Sequence, residues 1–306
     1  MAGGSLQASG GLGTEGVAPA PAQRLWASVR PFFGNGKAVA GLVLFLVFVA
    51  VAVLAPFLAP YDPTATLFTP EAAPSAAHLL GTTQSGQDVF SQLVWGTRGS
   101  LNVAIGAGIL TTLMAILIGI LSGFVGGVVD EVLTILTNVF LIIPSLVLVI
   151  VVSSYVQAAN QWLIILLISI TSWPWGARVL RSQTLSLRAK DFVVSCRLAG
   201  ESTWRIAFFE ILPNMVSLAA ASFFFTCLYA IVTASSLQFL GLGDINAVSW
   251  GTMLYWANNG EALLTGAWWW FIPPGLCIGL LGAAFALMNY AVDEITNPRL
   301  RRGGAA

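Results

Sequence analysis

The sequence predicts an all-α integral membrane protein with six transmembrane helices and both termini cytoplasmic. Three observations predict it. The 306 residues are 57% hydrophobic and only 8% charged; a soluble domain carries about 25% charged residues and could not cover its surface with so few. Apolar runs of membrane-crossing length recur along the chain. The basic residues sort to one side of those runs.

Taken in order, residues 1–37 read as a disordered N-terminal cytoplasmic tail, rich in Gly, Ala, Ser and Pro before Arg24, Arg30 and Lys37. Residues 38–60 form the first transmembrane helix. Pro56 and Pro60 stand where a signal-peptide cleavage site would need small residues, so this run reads as a span. Residues 61–100 form an extracytoplasmic loop, and 101–295 hold five further spans. These are Leu101–Gly127, Val132–Tyr155 with Pro144 inside, Trp162 to about Trp175 broken near Pro174, Met215–Leu240, and Trp270 to about Ala291. Residues 296–306 form a C-terminal cytoplasmic tail.

With six spans, twelve of the thirteen basic residues share a side: Arg24, Arg30 and Lys37; Arg178, Arg181, Arg188, Lys190, Arg197 and Arg205; Arg299, Arg301 and Arg302. That asymmetry marks the cytoplasmic side. It places the loop 181–214 inside and the loops 56–100 and 241–269 outside.

No charged residue falls centrally in these spans, which argues against a proton- or ion-coupled carrier. No acid pair, Ser–His pair or metal ligand set is available for an intramembrane enzyme. Zero net charge removes the basic surface that nucleic acid requires. The three cysteines and the single histidine, His78, have no metal-like spacing, and the cysteines read as small packing residues. A passage would therefore be lined by neutral polar groups, with Asn138, Ser145, Ser235, Ser236 and Gln238 as candidates and Ser153, Ser154, Thr226 and Thr233 beside them. Each of these can instead bond to its own helix backbone. Gly119, Gly123 and Gly127, and Gly275 with Gly279, recur every four residues and allow close helix contact. Asp88, Trp250 and Trp256 are candidates for an external mouth, while Trp268 to Trp270 fit an interfacial belt.

The cytoplasmic stretch Asp191 to Pro213 is patterned as two short helices. The first starts with Asp191 as N-cap and ends at Ala199 before Gly200; the second starts near Ser202 and stops before Pro213. Phe192, Cys196 and Ala199 share a face of the first, and Trp204, Phe208 and Ile211 of the second. Helices this short need a surface to pack on.

Four segments resemble the inner-membrane permease subunits of binding-protein-dependent ABC importers. They are similar to the dipeptide/oligopeptide/nickel branch, second of its two permease types. Leu80 to Ser91 (LGTTQSGQDVFS) is similar to LGTDxxGRDVxSR, with Thr83 and Gln87 replacing Asp and Arg. Gly200 and Ile211-Leu212-Pro213 match the spacing of the EAA loop, with Val194, Ser195 and Cys196 in place of Glu-Ala-Ala. Leu237 to Gly243 with Ser249-Trp250-Gly251 resembles LxFLGLG…SWG. Trp268 to Pro274 and Asn297 to Arg301 resemble the ends of the family's last helix.

The resemblance implies an importer-type permease core that moves peptides or similar small oligomeric solutes by alternating access. Oligosaccharide or metal-chelate import stands as an alternative within the family, and a membrane scaffold or passive channel outside it. The loop 181–214 would carry cytoplasmic coupling helices, with ATPase contacts from Asp191, Phe192, Val194, Arg197, Ala199, Gly200, Glu201, Trp204 and Arg205. The chain holds no GxxxxGK[ST] loop, so the resemblance places ATP and Mg in partner subunits and no cofactor or metal here. The implied partners are a second homologous permease, two ATPase subunits, an extracytoplasmic binding protein and membrane lipid.

Overall fold

The computed structural model describes residues 35–155 and 160–296. Residues 1–34 of the expected disordered tail and the C-terminal arginines lie outside the described residues, while Gly36 and Lys37 already belong to the first helix. The described chain is helical, with one isolated antiparallel bridge, Thr82 to Asp88.

Helix α1 (Gly36–Leu58) starts at Asn35, whose side chain caps Lys37 and Ala38 and also donates to Glu294 near the chain's other end. Helix α2 (Val89–Val125) starts well before the expected Leu101. The reason is a cap: Asp88 accepts from the backbone N–H of Ser91, and Val94, Gly96, Thr97 and Ser100 are buried, so the amphipathic run extends the apolar one. Helices α3 (Gly127–Ile142) and α4 (Ser145–Tyr155) meet at an 84° bend across Ile143-Pro144. Pro144 withdraws a backbone donor there, and the expected third span, with Pro144 inside, divides into two helices.

Helix α5 (Gln161–Leu187) runs unbroken through Pro174, correcting the expected break. Its apolar pattern fades after Trp175, but Ala177, Leu180 and Thr184 continue the buried face. That face packs on Gly119 and Gly123 of α2. A Cβ at Gly119 would lie 2.8 Å from the carbonyl of Ala177, and one at Gly123 2.7 Å from Cβ of Thr184, so only glycine permits this approach. The third residue of that stripe, Gly127, opens α3 with a φ of 59° instead.

Helix α6 (Asp191–Leu198) and the turn α7 (Thr203–Arg205) follow. After α7 the winding loosens to a π turn over Ile206–Ile211, tightens to 3-10 over Leu212–Met215, and continues as α8 (Val216–Phe239). The expected stop before Pro213 is absent. The change of register accommodates the proline: Leu212 N–H reaches back to Ala207, and the Asn214 amide donates to the Glu210 carbonyl at 2.6 Å. Two short helices, α9 (Trp250–Asn259) and α10 (Ala262–Thr265), lead to α11 (Trp268–Thr296).

Five stretches are long and apolar enough to cross a membrane: α1, α2, α5, Thr203–Phe239 and Trp268–Val292; the bent α3–α4 pair, taken as one span, makes six. Three buried clusters hold them together. One joins α1, α2, α8, α9 and α11 around Phe48, Trp250, Leu281 and Phe285. One joins α2 and α5 to the α6–α7 segment and the π turn after it through Phe124, Trp173, Leu180, Val193, Ile206 and Ile211. The third joins α2, α4, α5 and α8 around Val149, Ile168 and Leu237. Of the sixteen residues of α3, only Thr137 is buried.

Candidate coupling surface and membrane cavity

Lys190, not Asp191, occupies the N-cap of α6; Asp191 is the first helical residue, where its charge favours the helix N-terminus. The helix ends as a Schellman turn. Glu201 N–H donates to Cys196 and Gly200 N–H to Arg197, with Gly200 at φ 78°. Ser202 then caps α7 by accepting from Arg205 N–H.

The buried face differs from the one the spacing predicts. Val193 is fully buried with Cys196 half-buried behind it, while Phe192 and Ala199 are exposed. After the turn, Ile206, Ala207 and Ile211 are buried and Phe208 is partly so. Trp204 is 59% exposed and stacks on Phe208 at 5.4 Å. The discrepancy has a cause: the π turn rotates Ile206 and Ala207 inward, which a uniform helical period does not anticipate.

The base is therefore anchored and the tip is apolar and open. Val194 (44%) and Leu198 (85%) lie four residues apart on the outward face. Arg197 lays its guanidinium over the Phe124 ring at 4.7 Å, Arg205 pairs with Glu201, and Arg188 donates to the Gly123 carbonyl at 3.0 Å near the end of α2. Movement of this tip is thus tied to α2.

Beside the anchor, Arg181 of α5 makes a two-pronged ion pair with Asp130 of α3, at 2.6 and 2.8 Å. Ser122 and Thr134 also donate to Asp130. One turn away Arg178 donates to Asn138 at 2.6 Å. Ser122, Thr134, Asn138, Arg178 and Arg181 line a small polar cavity of about 230 Å³. Asp130 and Arg181 were not in the expected site set, because both fell just outside spans whose ends were read from hydropathy alone.

Higher in the bundle a cavity of about 330 Å³ lies between α2, the α3–α4 bend, α5 and α8. Phe140, Trp175, Phe225 and Tyr229 supply its apolar and aromatic wall, and Thr111, Ser145, Thr171, Ser172, Ser222 and Thr226 its hydroxyls. Ser145 and Tyr229 share a hydrogen bond of 2.7 Å. Of the expected pathway residues, Ser145 lines this cavity and Asn138 the smaller one. Ser236 bonds to its own helix at Val232. Gln238 accepts from Ser249, and Ser235 and Gln238 press against Gly251 at the α8–α9 junction.

The expected external mouth divides. Trp250 is fully buried: its indole donates to Leu93, and Phe48 packs edge-on at 5.4 Å. No ring face is left for a ligand. Asp88 is buried too, capping α2 and contacting His78 at 2.9 Å. These positions are structural because the loop folds down over them. Trp256 alone of the three lines an open cleft, of about 300 Å³, with Thr83, Gln87, Gln92 and Asn246.

Apolar spans around a neutral, hydroxyl-bearing cavity, with an anchored amphipathic helix at one end, define a membrane permease. Residues 115–302 match the binding-protein-dependent transport system inner membrane component, and residues 24–77 the N-terminal TM domain of oligopeptide transport permease C. The chain belongs to the family of inner membrane components of binding-protein-dependent transport systems, multi-pass membrane permeases rather than enzymes. It is 33% identical over 271 residues to the dipeptide transport system permease protein DppC of Bacillus subtilis, covering 88% of this chain and 83% of that protein. It is 32% identical over 283 residues to the oligopeptide permease OppC of the same organism, 91% of each chain. To the di/tripeptide permease DppC of Pseudomonas aeruginosa it is 33% identical over 295 residues, 93% of this chain and 94% of that one.

Proposed function

We propose that this chain is one permease subunit of an ATP-driven importer of peptides. It pairs with a second, homologous permease and moves solute by alternating access. Two ATPase subunits, which bind the ATP and Mg, dock on the loop 181–214, and an extracytoplasmic binding protein delivers solute near the loops 56–100 and 241–269. The basic-residue asymmetry supports cytoplasmic termini, and residues 101–295 act as the permease core. The relatives named for dipeptide and oligopeptide transport support the substrate class.

The observation that carries this reading is the α6–α7 unit. Val193, Ile206 and Ile211 fix its base on α2 and α5, while Val194, Leu198 and Trp204 present apolar surface outward. Exposed apolar groups on a rigid polar-flanked helix mark a protein contact. Asp191, Phe192, Arg197, Ala199, Gly200, Glu201 and Arg205 surround that tip and complete the coupling surface.

The test is co-purification of the tagged chain, expressed with its neighbouring ATPase and permease genes, joined to uptake of a labelled dipeptide. The wild-type chain retains the ATPases and supports uptake. Leu198→Glu, which places a charge where an apolar contact forms, releases the ATPases and cuts uptake about tenfold or more without loss of the inserted chain. A wild-type complex that never recovers an ATPase overturns the reading.

A further inference from the structure

Many helical hydroxyls among the described residues are spent on their own backbone. Thr97, Thr137, Ser169, Thr171, Thr184 and Thr226 each donate to the carbonyl four residues earlier. Thr111 of α2 and Ser172 of α5 do not. Both hydroxyls are buried without a hydrogen-bond partner among the described residues, and Thr111 is only 2% exposed. Both residues line the cavity of about 330 Å³, whose walls carry no charged side chain. Buried polar groups in folded proteins are ordinarily paired, and an orphaned one is costly to keep. Two orphans from different helices in one cavity wall imply a partner that comes and goes.

We propose that this cavity is a solute site in which Thr111 and Ser172 hydrogen-bond uncharged amide groups of a passing peptide. Phe140, Trp175 and Phe225 contact its side chains. The proposal rests on the peptide-importer reading and adds the place and chemistry of contact. A hydroxyl both donates and accepts, so it serves an amide N–H or C=O equally. With no charge in the wall, nothing offsets the desolvation of an ionised group, so the site takes the neutral backbone rather than a terminus. A lipid acyl chain would fill the volume but leave both hydroxyls unpaired. The volume sits at the lower end of ligand pockets, about 300–1,000 Å³, which suits one short stretch of peptide at a time.

The test uses the complete importer in proteoliposomes with the binding protein present and a labelled uncharged tripeptide as probe. Thr111→Val with Ser172→Ala, near-isosteric and without hydroxyls, lowers peptide uptake about tenfold, and Ser172→Thr restores part of it in the Thr111 background. Thr112→Val removes a hydroxyl that is likewise unpartnered but lies outside the cavity lining, and leaves uptake at the wild-type rate. As a second measurement, a photo-crosslinking amino acid at Phe225 labels the tripeptide during ATP turnover. Wild-type uptake by the double variant, or label recovered only on lipid, overturns the proposal while peptide import stands. Equal loss in the Thr112 variant overturns it as a packing effect. A wild-type importer that carries an oligosaccharide and no peptide overturns both readings.

Discussion

At the scale of single residues, Gly200 shows how one backbone angle fixes a surface. Its φ of 78° closes the Schellman turn between α6 and α7, and a Cβ there would meet no atom within 4 Å. The demand is purely conformational. Gly200→Asp reaches the left-handed angle, as Asn does, but adds a charge to the proposed coupling surface; it should abolish uptake while the protein remains inserted. Gly200→Asn, which tolerates the same conformation, should retain most uptake. Equal loss in both variants, measured beside their membrane levels, would point to steric crowding instead. The turn was legible in the sequence, because a glycine after an amphipathic run followed by Ser is a recognisable stop and start. The burial of Val193 was not, since it depends on α2 and α5 lying beneath.

At the scale of elements, α3 is held differently from every other long helix. It exposes Val128, Val132, Ile135, Val139 and Ile142 and buries almost nothing against its own chain. Its tether to α5 is largely polar, Asp130 with Arg181 and Asn138 with Arg178, beside one ring contact of Phe140 with Trp173. The ion pair is partly exposed, 31% and 21% at the side chains, so its loss should cost about 1–3 kcal/mol, between surface and buried pairs. Asp130→Ala and Arg181→Ala should each lower the melting temperature in detergent and let a cysteine pair across α3 and α5 lose its cross-link. The swapped pair Asp130→Arg with Arg181→Asp should recover much of both. Failure of the swap to recover either would mean that Ser122 and Thr134 demand the original orientation.

Elements also show why parts of the fold escaped a reading by pattern. Hydropathy located the spans but ended α5 at Trp175 and began α2 at Leu101, because amphipathic helix ends lose apolar density while keeping helical burial. Proline misled at Pro174 and Pro213, where helices continue, and was informative at Pro144, where the chain bends by 84°. A proline removes one donor in each case; whether the helix survives depends on what repairs the loss, and that is a tertiary matter.

At the scale of the whole molecule, two of the three clusters bind the ends of the bundle separately: one around Trp250 and one around Trp173 and Val193. Outer faces of α1 and α11 stay apolar and open, with Val47, Val53, Leu276 and Leu280 exposed, as lipid or a second permease requires. The proposed orientation is testable here. A single cysteine at Ser195 in a chain stripped of its native cysteines should react with an impermeant thiol reagent only after the cells are opened, and one at Ser85 should react in intact cells. The opposite pattern would invert the topology. Of the residues expected at an external mouth, Trp256 lines an open cleft while Trp250 and Asp88 are buried, because an aromatic or acidic residue in a loop does not reveal which side of it the loop will cover.

The continuous helical run from Thr203 to Phe239, with its change of pitch over Ile206–Met215, has a mechanical consequence. At 37 residues it is a rod of about 55 Å, running from the tip beside Trp204 to the junction where Gln238 meets Ser249. The π and 3-10 turns around Pro213 change its pitch, but no loop interrupts it. Tilting such a lever by about 5° about one end displaces the other by roughly 5 Å, more than the width of an opening that separates a sealed passage from one a water molecule can enter.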